Sequence, residues 1–327
     1  MGLALLFFAA ISSAGAQDEV TLRLEFKEGE REQMRFDLET TSKVELSSDA
    51  FATKQASDGH IQFTLKNACK KAGESAYVFE AIFSDLDMEQ KVTVRDETFK
   101  VRIKGRNVKM EGSDGEVVVD TEKGLNPKLA EPMLKELDGF GVASDLEVDA
   151  RGLLKQPKKR KKMPKLLQGI SSSGNLYPFV LPEKPVHVGD EWTYENELST
   201  LGDIKLSGKP IKIPIRYRLE RVEGEGASRV AVFSTKIETE LLNLDASGKM
   251  EGVAGNVALK IKKLTYKGTG ETRFLPSAGR AAASRIDLAL DAELSAEAED
   301  LGGAMEMKLS TTFKAKTEPA AKRKREF

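Results

Sequence analysis

Tyr77-Val-Phe-Glu-Ala-Ile-Phe-Ser-Asp-Leu-Asp-Met-Glu-Gln-Lys-Val-Thr-Val94 reads as long β structure. Val78, Ile82, Leu86, Met88, Val92 and Val94 share one parity, and successive strand residues face opposite sides of a sheet. Asp85, Asp87 and Glu89 fall on the other parity. That spacing could seat a calcium ion, but the Gly-centred twelve-residue loop of a calcium site is missing, so a solvated outer face is expected.

The same alternation recurs on both sides. Upstream lie Val20, Leu22, Leu24 and Phe26, then a turn at Lys27–Glu30, then Met34, Phe36 and Leu38, and later Ile61, Phe63 and Leu65. Downstream lie Phe99, Val101 and Ile103, then Val108 and Met110, with Asp114-Gly115 as a hairpin turn before Val117–Val119. Past residue 200, Ile211–Leu219, Val230–Phe233, Ile237–Leu244, Leu259–Tyr266, Ile286–Leu290 and Met305–Leu309 repeat the pattern. Pro214 marks an edge or bend, because proline offers no ladder donor.

One helix is expected over 127–138. Asn126 is placed to cap it and Pro127 suits its first position. Leu129, Ala130, Met133, Leu134 and Leu137 form its apolar stripe, and Gly139 ends it. The helix reads either as a plug on the sheet or as a movable lid over an apolar cavity.

These elements define a mainly β protein. The expected architecture is a large antiparallel curved sheet, sandwich or open barrel with one principal amphipathic helix. Its two β-rich halves, 17–154 and 179–316, share turn logic at Gly29-Glu30 and Gly189-Asp190 and again at Gly152 and Gly279, which raises the question of an internal duplication. Between the halves, 155–178 reads as a basic and Gly/Ser-rich loop, and 317–327 as a disordered basic tail.

Residues 1–16 carry an apolar run ending in Ala14-Gly-Ala16, the pattern of a secretory signal peptide too short to span a bilayer. Export to the periplasm or beyond follows, with no transmembrane segment after cleavage. The single Cys69 rules out an internal disulfide.

Chemistry-bearing motifs are scarce. The two histidines, His60 and His187, and Cys69 stand at no metal-ligand spacing, and no cofactor is expected. Gly169-Ile-Ser-Ser-Ser-Gly174 misses the nucleophile elbow by one residue. A net charge of −1 gives no field favouring nucleic acid. Lys158, Lys159, Arg160, Lys161 and Lys162 form a basic run that could touch an anionic envelope surface, or that is simply a solvated loop.

The most distinctive stretch is Leu181-Pro-Glu-Lys-Pro-Val-His-Val-Gly-Asp-Glu-Trp-Thr-Tyr194. Its prolines, including Pro185, make a rigid lead-in, Gly189-Asp190 a tight turn, and Trp192 an aromatic anchor for the next strand, rather than a ligand-stacking ring. With Met133–Gly139, Val148–Gly152 and Phe274–Arg280, this stretch resembles an exported bacterial family of unknown function, across most of residues 19–315. The resemblance implies a signal peptide, a large antiparallel β body and no catalytic residues. At fold level such proteins are similar to lipoprotein carriers, with a helix over the concave face of a curved sheet. The leading expectation is a non-enzymatic binding or scaffold module of the cell envelope with an apolar or lipid-like ligand. The alternatives are a carboxylate-dependent hydrolase and a structural surface protein without a ligand.

Overall fold

The computed structural model describes residues 19–48, 52–155, 177–201, 204–249, 256–298 and 303–320. The first half supplies β1 (Arg31–Ser48), β2 (Ala52–Ala72), β3 (Ala76–Val94), β4 (Glu97–Lys104), β5 (Asn107–Glu111), β6 (Val117–Asp120), α1 (Pro127–Glu136), β7 (Ala143–Asp149) and β8 (Leu154–Lys155). The second supplies β9 (Glu191–Leu198), β10 (Thr200–Leu201), β11 (Ile204–Leu206), β12 (Ile211–Glu223), β13 (Val230–Lys249), β14 (Asn256–Leu275), β15 (Arg280–Ala298) and β16 (Gly303–Pro319).

All described strands join one 16-stranded antiparallel sheet. Its main path runs β10-β11-β13-β14-β15-β16-β1-β2-β3-β4-β5-β6, and no described pairing joins the two ends, so the sheet is not closed into a barrel. The halves meet where β1 pairs β16, from Met34↔Pro319 to Ser48↔Met305. Thr317 is buried in that ladder, so regular structure extends past residue 316, where a disordered tail was expected.

The long strands bury one face. Lys54–Glu45, Arg102–Glu89, Lys263–Glu240 and Lys262–Glu306 ion pairs decorate the other, all well exposed. Such pairs contribute about 0–1 kcal/mol each. The apolar inner face therefore carries the stability, at roughly 25 cal/mol per Å² of apolar surface covered.

The single parity expected over 77–94 is wrong in its first half. Tyr77, Phe79, Ala81 and Phe83 point inward, and Val78 and Ile82 do not. A bulge intervenes: Gln62 pairs Asp87 but Thr64 pairs Ser84, leaving one extra residue on β3. Asp85 sits there at φ 55, and beyond it Leu86 and Met88 face inward. A bulge inserts one residue and so exchanges the two faces. The strand also changes partner at this point, pairing β7 through Ala76–Ile82 and β4 through Asp87–Val94. β13 also carries a left-handed residue and changes partner, though its register against β14 does not shift: Asn243 has φ 55, β12 pairs its first part and β11 its last. Pro214 lies just before the β12–β13 pairing begins at Ile215, on a locally free edge, as its missing donor requires.

Residues 20–26 are extended but join no ladder. Val20 bridges Val186, Leu24 N–H donates to Ala150 O at 2.8 Å, and Glu25 N–H to Gly279 O at 3.1 Å. The segment thus crosses the inner face instead of forming the expected strand. Gly279 permits the crossing, because a Cβ there would lie 2.5 Å from the Glu25 backbone nitrogen. A second extended segment, Tyr177–Leu181, lies in the same core, with Phe179 edge-on to Phe233 and Phe274. Together the two segments cover one end of the inner face.

α1 ends at Glu136, packs against β5 and β6, and buries Ala130. Asn126 does not cap it: the residue is left-handed, and its side-chain amide donates to Val118 O at 2.9 Å. Phe140, just after the helix, meets Phe63 and Phe83 edge-on.

The Asp85 bulge sets a stability test. Glycine accepts the left-handed conformation freely, and valine there costs about 1–2 kcal/mol more. Urea unfolding should therefore rank Asp85→Gly above Asp85→Val by roughly that amount. Equal midpoints would show that the bulge relaxes away.

Candidate functional site

Register lines the inner face into rows. One runs Ile237–Gly268–Leu288–Phe313–Thr40–Gly59–Gln90–Val101 from β13 to β4. The next runs Thr239–Tyr266–Leu290–Thr311–Ser42–Ser57–Val92–Phe99. A third continues Leu241–Leu264–Ala292–Leu309–Val44.

These rows lie between two separate cores. The larger contains the crossing segments, Phe79, Phe233 and Phe274, and the smaller contains Leu206, Leu259, Ile261, Leu294 and Met305. Between them Tyr266, Leu288, Leu290, Leu309, Phe313, Val44, Val92 and Phe99 are only half-buried. The inner face is therefore covered at both ends and partly open in the middle, forming a trough. The first two rows hold no Asp, Glu, Lys, Arg or His, though Thr40, Gln90, Thr239, Thr311, Ser42 and Ser57 interrupt their apolar side chains; the third, carried on through Gln55 and Val94, ends at Glu97. Ser42 and Thr311 satisfy each other across the β1–β16 seam at 3.1 Å. Burial raises the Tyr266 hydroxyl pKa above its ordinary value.

The motif residues gather at the start of β9. Gly189 takes φ 96, its N–H donates to Leu219 O, and Leu219 N–H returns a bond to Asp190 O. The Asp190 carboxylate accepts from His187 N–H at 2.8 Å, which holds its pKa below the usual range. Trp192 stacks on Tyr217 at 5.5 Å and meets Phe233 edge-on, and its indole N–H donates to Val180 O at 2.7 Å. That bond ties the second crossing segment to β9, so Trp192 is an anchor. Pro185 is exposed beside buried Val186. Lys158, Lys159, Arg160, Lys161 and Lys162, like the signal-peptide residues, lie outside the described residues.

Sequence reasoning missed a charged cluster under the crossing segments. Arg280 pairs with Glu30 and lies over the Phe26 ring at 4.9 Å. The Tyr177 hydroxyl donates to Glu32 Oε2 at 3.2 Å. Glu30 accepts from Lys27 N–H and from Arg280, and its pKa falls; burial pushes Glu32 up, against the pull of Arg280. A cleft of about 620 Å³ opens beside Arg280, lined also by Arg23, Glu25, Phe26, Lys27 and Glu30, but not by Glu32. Nothing in the sequence pairs Glu30 with a residue 250 positions away; only the sheet brings them together.

No family model and no curated protein matches the chain. Among solved structures it is similar to the β domain of the Bordetella autotransporter BrkA, at 8% identity and TM-score 0.21, covering 88% of this chain and 98% of that one. It is also similar to Pseudomonas aeruginosa OccK5, at 6% and 0.23 over 88% and 98%, and to the translocator domain of NalP from Neisseria meningitidis, at 5% and 0.19 over 88% of each. Overlaps this low carry no argument about function. No described helix is long and apolar enough to cross a membrane.

Glu32 sets a pH test. Its folded pKa lies above its unfolded value, so the stability it contributes is complete below the unfolded value and is lost as pH rises through the folded one. Glu32→Gln should therefore flatten the fall in urea midpoint as pH rises above about 4. An unchanged slope would place the titration elsewhere.

Proposed function

We propose that this protein is a non-enzymatic binding module of the cell envelope that holds an apolar ligand in the trough. One observation carries the reading: in the middle of the inner face apolar side chains alternate with hydroxyl and amide groups and are only half-covered, while both ends are packed. An apolar surface left partly open is a recognised mark of a ligand groove. The leader-like residues 1–16 and the resemblance to an exported family support placement outside the cytoplasm. Within the same reading, Trp192 and the Gly189-Asp190 turn serve the scaffold, and the basic run Lys158–Lys162 offers contact with an anionic surface.

The hydrolase reading needs two carboxylates at one opening. Glu30, in the turn before β1, and Glu32, in β1, have pKa values displaced in opposite directions, which is how acid and base roles divide. The raised carboxyl, however, does not line the cleft that Glu30 lines. A substrate in that cleft would meet Glu30, whose carboxylate the Lys27 N–H and Arg280 hold ionised, without the raised carboxyl of Glu32 beside it.

The binding reading is tested by solvent extraction of the purified full chain and mass spectrometry of what is released. Apolar molecules should be recovered from the parent, and Leu290→Asp should lower the recovery by about tenfold, since an ionised group in an apolar setting is costly to desolvate. Far-UV circular dichroism checks that the variant keeps its sheet. Equal recovery from both proteins would remove the trough as the binding place.

A further inference from the structure

We draw no further inference here: the strongest candidate, the half-covered stretch of the inner sheet face between the two cores, where the Thr239 hydroxyl is buried without a partner, belongs to the trough already described, and nothing in the structure shows what covers it.

Discussion

The ladder between β1 and β16 joins the first described strand to the last, and everything on the inner face depends on it. Without that ladder the two halves would be separate sheets, each with a long exposed edge of unpaired backbone groups. With it, the rows from β13 to β4 become continuous, because their middle members, Phe313↔Thr40 and Thr311↔Ser42, belong to this pairing. The entropic cost of so distant a closure is modest, since doubling a loop adds only about 0.6 kcal/mol. Its kinetic cost is larger. A contact between the two ends of the chain forms only after both meanders exist, so folding is expected to be slow for the size of the protein.

A sheet this long cannot cover its own apolar face, and the protein solves the problem unevenly. At one end two extended crossing segments lie across the strands, held by Val20–Val186, Leu24–Ala150 and Trp192–Val180 hydrogen bonds rather than by a ladder. At the other end the short β10–β11 hairpin and the strand ends supply a smaller core around Ile261 and Leu294. Nothing described covers the middle fully. The bulge at Asp85 and the left-handed Asn243 contribute to the unevenness: at each a long strand exchanges one partner for another and turns its side chains over. The inner face is in this way assembled from odd-numbered residues in one part of β3 and even-numbered ones in the next.

Much of this architecture was legible from local sequence. Strand existence follows from period-two alternation, as at Ile61, Phe63 and Leu65, and the turns follow from glycine and aspartate, as at Gly189-Asp190. The locally free edge at Pro214 follows from a missing donor. What was not legible is whatever depends on register. The parity of Val78 and Ile82 reverses because of one bulged aspartate, and Asp85-Leu-Asp-Met looks unbroken as text. Asn126 looked like a helix cap, yet its side chain found the nearer carbonyl of Val118. Residues 20–26 alternate as well as any strand, but alternation reports burial on one side, not a ladder on both edges. The trough itself was invisible for the same reason: Thr239, Tyr266, Leu290 and Thr311 stand far apart in the chain and become one row only after four strands are paired.

The trough also differs in kind from an underfilled core. Large side chains would close the gap if closure were the requirement, yet two glycines stand in one of its rows. A Cβ on Gly268 would fall 2.3 Å from Leu288 Cδ2, and one on Gly59 would fall 2.7 Å from Thr40 Oγ1. At both positions a neighbouring side chain lies flat against bare backbone, which lowers the floor instead of raising it. Glycine inside a strand weakens the strand and marks close approach of another group. The buried, partnerless hydroxyl of Thr239 adds a second local cost one row away. Both costs fall in the same part of the molecule, where a ligand present well above its dissociation constant would return about RT ln(1 + [L]/Kd) of stability.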